Sequence, residues 1–167
     1  MMKVAEKEFQ LPTELSPESR VWIYQAERDL TQAEVNKMTK ELADFVREWA
    51  AHGKNLQADF RIFFNRFICL FVDESAHGAS GCSIDSSVHF VQNLEKKYGI
   101  QLMQRTQVAY IKDDQIHTTE MNEFSNLARK GEVDSSTLVF NNLVKNLGEM
   151  ESGWIIPASK SWHFRLL

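Results

Sequence analysis

Two periods of hydrophobic and polar residues run through the chain. A helical one begins behind Thr31-Gln32-Ala33-Glu34, where Val35, Met38, Leu42, Phe45, Val46 and Trp49 recur at three- and four-residue spacing. Thr31 and Glu34 form a capping box, the threonine hydroxyl accepting from the third helical amide and the glutamate reaching back. His52-Gly53 offers a left-handed stop. A second helical stripe, Ile84, Val88, Val91, Leu94 and Tyr98, starts near Ser83 and runs to Gly99.

The β-type pattern surrounds these helices. Val21-Trp22-Ile23-Tyr24 is a short strand. Phe60, Ile62 and Phe64 alternate with Asp59, Arg61 and Asn65, predicting a half-wet strand and a tight turn at Asn65-Arg66. Phe67 to Val72 is apolar throughout, as expected of a strand covered on both faces. The order strand, helix, strand, strand, helix predicts an α+β fold, a ferredoxin-like βαββα layer with an antiparallel sheet. Its fourth strand is expected from residues 101–111. Beyond it lie a hairpin about Asp113-Asp114 and a short helix through Phe124 and Leu127, closed by Lys130-Gly131. Thr137–Phe140 follows as a strand, then an extended run at Trp154–Pro157. The division is an extended arm over 1–19, kept irregular by Pro12 and Pro17, the α+β layer over 20–107, and a small hairpin–helix–strand module over 108–167.

Composition narrows the function classes. At 167 residues with 43% hydrophobic and 25% charged positions, the chain holds enough apolar residues for a core. A net charge of −4 argues against a general nucleic-acid binder. Trp22, Phe63 and Phe67, which can stack bases on a ferredoxin-like sheet, lack a basic surround and are expected in the core. No apolar run is long enough to span a bilayer, and the charged start is unlike a signal peptide, so a cytoplasmic protein away from membranes is expected. The two cysteines, Cys69 and Cys82, fit a reducing compartment and form no zinc-ligand pattern. No cofactor or metal is expected.

The chemistry concentrates at residues 73–87. Asp73 and Glu74 end the apolar strand; as paired carboxylates they suit acid–base work, or are a solvated strand terminus. Ser80, Gly81, Cys82, Ser83, Asp85 and Ser86 open the second helix, where free amides and hydroxyls suit a phosphate, sulfate or carboxylate. Alternatively Ser83 or Asp85 merely caps the helix. Cys82, beside the helix start, is a candidate nucleophile with His77 as base, or a small packed residue. His52 is assigned to the first helix's cap, and His89, off the core stripe of the second helix, to solvent or the helix edge. His163, between Trp162 and Phe164, packs or contacts a ligand.

The strings VDES, GASGCSIDSSVHF, FNNLV and SWH carry a resemblance from about Ser19 to the C-terminus. The chain resembles an uncharacterised family of bacterial proteins, mainly from Bacteroidetes, some of which carry the name "ABC transporter ATPase". The resemblance implies a bacterial cytoplasmic protein. The ATPase name fails a direct test. Cys69 to Glu74 imitates a Walker B strand, but none of the seven glycines begins the G-x-x-x-x-G-K-[ST] loop that holds phosphates. Residues 108–157, with Tyr110, E-F-x-x-L-x-x-x-G and T-L-V-F, resemble the bacterial variant of the GYF peptide-binding module. The Gly-Pro that usually precedes its helix is replaced by His117-Thr118-Thr119.

The expectation is therefore a non-ATPase binding or regulatory protein. Its loop at 73–87 would accept a small anionic ligand or a partner's acidic group. The alternatives are a thiol-dependent enzyme using Cys82 and a protein-interaction adaptor working through the tail. An exposed aromatic groove of Tyr110, Phe140 and Trp154 would mark the adaptor. An uncovered aromatic sheet face would favour a homodimer.

Overall fold

The computed structural model describes residues 9–51, 54–55, 57–74 and 81–167. The fold is α+β, with antiparallel sheets of three and four strands, a two-stranded pair and helices among the described residues. In chain order the elements are β1 (Arg20–Gln25), α1 (Gln32–Glu48), β2 (Ala50–Ala51), β3 (Lys54–Asn55), β4 (Gln57–Phe63), β5 (Phe67–Asp73), α2 (Gly81–Tyr98), β6 (Gln107–Lys112), β7 (Gln115–Glu120), α3 (Met121–Arg129), β8 (Leu138–Phe140), α4 (Leu147–Gly153) and β9 (Ile155–Pro157). Short 3-10 turns close the chain.

The first sheet has the order β1-β5-β4. β5 is its centre, and every residue from Phe67 to Val72 is fully buried. Side chains alternate across a strand, so its two apolar faces need two separate covers. Ile68, Leu70 and Val72 pack with Met38 and Leu42 of α1 and Val91 and Leu94 of α2. Phe67, Cys69 and Phe71 pack the other way, with Ala109, Ile111, Phe140 and Trp154. The molecule is thus layered: helices, first sheet, then the second sheet with its helices. The arm joins the second cover, its Phe9 ring 5.3 Å from Phe63 and 5.1 Å from Trp154.

The capping box of α1 forms in full, with Glu34 N–H donating to Thr31 Oγ1 at 3.1 Å and Thr31 N–H to Glu34 Oε2 at 2.9 Å. The helix ends at Glu48, earlier than the His52-Gly53 stop expected, and those two residues lie outside the described ones. Trp49 turns to extended backbone (φ −64°, ψ 119°) because its indole is buried. Trp49 Nε1 donates to Ser83 O at 2.8 Å.

The expected turn after β4 spans Phe64–Arg66, with Phe64 and Asn65 both at positive φ (55° and 51°). Phe64 therefore leaves the alternating face and joins the second core, near Phe140 and Trp154.

The fourth strand differs from expectation. β6 joins β7 and β8 in a second sheet of order β7-β6-β8-β9 and does not pair with β1. Both its faces are apolar. Ala109 and Ile111 cover the back of the first sheet, while Val108 and Tyr110 pack with Phe124 of α3. Such a strand is satisfied only in the interior of a stack. The place beside β1 is taken in part by residues 145–147. Val21 N–H donates to Lys145 O at 3.1 Å, and Leu147 N–H to Ser19 O at 2.9 Å. Past that bridge the two segments diverge.

Candidate functional site

Beyond the bridge between Arg20 and Asn146, a cleft of about 540 Å³ opens along β1. That volume lies within the range of small-molecule sites. All of residues 21–25 line one wall. Ile84 and Val88, from the first turns of α2, form a second. The connection from α2 to β6 contributes Leu102 and Arg105, β6 contributes its first residue, Gln107, and Phe140, Asn142, Leu143 and Trp162 complete the rim. The cleft lies where the fourth strand of a ferredoxin-like sheet would run.

Its polar groups are set from behind. Trp154 Nε1 donates to Asn142 Oδ1 at 2.9 Å, and Asn142 Nδ2 donates to Gln25 Oε1 at 2.8 Å. This relay fixes the Gln25 amide, whose residue is only 5% exposed, with its oxygen toward Asn142. Gln25 Nε2 is then a buried donor with no hydrogen-bond partner. Gln107 Oε1 is likewise a buried acceptor without a partner. Leaving such a group unpaired costs about 1–3 kcal/mol, so two in residues that line one cleft are unusual. Among the described residues, Arg105 is the sole charged side chain lining the cleft, and it forms no ion pair. Burial raises the Tyr24 hydroxyl's pKa, opposed by Ser87 and by the Arg105 charge.

Two of the five residues in the second helical stripe have another role than core. Val91 and Leu94 are buried, as their spacing predicts, but Ile84 and Val88 remain half-exposed on the cleft. Leu143 is 66% exposed at the rim.

The residues picked out around 73–87 are spread over several environments. Asp73 closes β5, and Ser16 N–H lies 3.5 Å from its Oδ2. Glu74 pairs with Arg20 at 3.2 Å, and that guanidinium also sits over the Trp22 ring. Both carboxylates are thus engaged by the chain itself. Gly81 begins α2 and is exposed. Ser83 is buried beneath Trp49, whereas Asp85 and Ser86 are exposed. His77 and Ser80 lie outside the described residues. So does the side chain of Cys82, the second residue of α2. His89 is exposed, as expected.

Cys69 is fully buried, and desolvation pushes its thiol pKa well up, which suits packing rather than reaction. His163 packs, stacked on Trp162 with ring centroids 3.9 Å apart and Nδ1 2.6 Å from Ser161 Oγ. Tyr110, Phe140 and Trp154 are all buried and form no exposed groove. Among the described residues, no group of three or more His, Cys, Asp or Glu side chains could hold a metal ion, and no helix is long and apolar enough to cross a membrane.

Gln25 stands far along the chain from Arg105 and Gln107, and nothing in the sequence singles out any of the three. Their polarity is ordinary one residue at a time. The available signal was the strand Val21–Tyr24 running into a glutamine that its register sends toward the core. No protein-family model, curated protein or solved structure matches the chain.

Proposed function

We propose that the protein is a non-ATPase binding or regulatory protein whose ligand occupies the cleft along β1. One observation carries this reading: a cleft of about 540 Å³ that holds a buried, partnerless donor at Gln25 and a partnerless acceptor at Gln107. A ligand offering a carbonyl and an N–H satisfies both. The charge of Arg105 supports the anionic character expected of the ligand, or of a partner's acidic group. From α2, Ile84 and Val88 supply apolar contact to the same ligand. Most of the remaining lining residues are apolar, as in most small-molecule sites.

The test is a screen of carboxylate-bearing amide fragments by two-dimensional amide NMR. Binders are expected to shift the Gln25 side-chain resonances and the amides of Ile84 and Val88. Val88→Trp, which fills the cleft from α2, is expected to abolish those shifts with the fold intact. Binders that leave Gln25 and α2 unmoved would overturn the reading.

A further inference from the structure

The backbone of β1 indicates what kind of ligand this cleft takes. Ala26 N–H donates toward β5, to Arg66 O at 2.8 Å, while Val21 N–H donates the opposite way, to Lys145 O at 3.1 Å. Backbone groups alternate sides along a strand. The N–H and C=O of Ile23 and Gln25 therefore point away from β5 like those of Val21, along the lined stretch 21–25. Among the described residues, no backbone bond to these four groups exists. An open edge of this kind is a template for another strand. The chain itself uses it at one end, where Arg20 bridges Asn146 in antiparallel fashion.

We propose that the cleft binds an extended peptide segment of a partner protein, which adds to β1 as a fourth strand and carries an acidic residue for Arg105. This rests on the binding reading above and names its ligand. Three features favour a peptide over a compact ligand. Ile23 and Gln25 present donor–acceptor pairs about 6.8 Å apart, the two-residue repeat of a strand. The partnerless Gln25 donor and Gln107 acceptor match a peptide's own groups. The apolar walls of Ile84, Val88 and Leu143 suit alternate side chains, as in strand-addition sites elsewhere. The single cation calls for an anionic partner.

The probe is a phage-displayed library of random heptapeptides selected against the full chain, with selected peptides resynthesised. Binders are expected to be enriched in Asp or Glu and to slow hydrogen exchange at the Ile23 and Gln25 amides at least tenfold. N-methylation along a binder should give a period of two: at least tenfold weaker binding at residues facing β1 and little change between them. Arg105→Ala should cut affinity about tenfold and remove its salt dependence.

Peptides that bind without the two-residue period would overturn strand addition while leaving the cleft as a site. If no peptide is selected but carboxylate fragments still shift Gln25, the peptide is wrong and the binding reading stands. If neither class reaches the cleft, both fall. Protection of the same amides that grows with protein concentration alone would replace the partner by a second copy of this chain.

Discussion

At the scale of single residues, burial decides which polar groups are chemically available. His163 shows the sign of the effect. Burial lowers its pKa to about 4, so the folded protein keeps the imidazole neutral. In the unfolded chain it titrates near 6.5. As pH falls from about 6.5 to about 4, the unfolded state takes up a proton that the folded state refuses. Stability is therefore present above that window and lost through it, by at most about 3 kcal/mol. Denaturant unfolding at pH 7 and pH 4.5 is expected to show this loss in the native chain and a smaller one in His163→Asn. Equal losses in both would mean that His163 is protonated when folded. Asn142 makes a second case. Asn142→Leu removes the acceptor of Trp154 Nε1 and the donor to Gln25 Oε1. It is expected to cost about 2–4 kcal/mol in denaturant unfolding, since two buried groups lose their partners.

Among elements, local signals were legible where they act over a few residues. The capping box at Thr31 and Glu34 is one. Glu34 also takes a two-pronged ion pair from Arg28, and these bonds pull its carboxyl down to about 2. Thr31→Ala is expected to lower stability by about 1 kcal/mol, read as a shift in the urea midpoint. The β6–β7 turn is another. Asp113 and Asp114 both adopt positive φ (51° and 58°), the geometry that Asn-Gly fills without strain. Asp114→Gly is expected to raise stability by roughly 0.5 kcal/mol, and a fall would show that the Asp114 side chain is needed. The helix α4 is faint in the sequence because it is short and contains Gly148. Its start was nonetheless encoded: Asn146 Oδ1 accepts from Glu149 N–H at 2.8 Å, an N-cap three residues before a glutamate. The place of the fourth strand is hidden in the sequence for a different reason. An apolar run such as Val108–Ile111 specifies burial on two faces but not which neighbour supplies it. The cleft was illegible for the same reason at longer range. It exists only because β6 leaves the first sheet and brings Arg105 and Gln107 past β1.

For the molecule as a whole, the doubly buried β5 determines how the layers depend on each other. The helix layer alone would leave Phe67, Cys69 and Phe71 uncovered, and the second sheet alone would expose Ala109, Ile111 and Trp154. At about 25 cal/mol per Å² of apolar surface, neither half can hold that area against water. Polar ties cross the same boundary. The buried Arg66, between β4 and β5, bonds Asp29 before α1 at 2.7 and 2.9 Å and also bonds Thr118 of β7. The halves are thus expected to unfold as one unit despite their separate sheets. Trp49 reports on the helix-side core and Trp154 on the other. In Trp22→Phe/Trp162→Phe chains carrying only one further Trp→Phe change, urea transitions followed by the fluorescence of Trp49 or of Trp154 should each coincide with the loss of helical circular dichroism in the same chain. A second transition in the Trp154 signal alone would show that the second sheet opens separately. It would also mean that the cleft, whose rim includes Asn142 and Leu143, can be dismantled without unfolding β1.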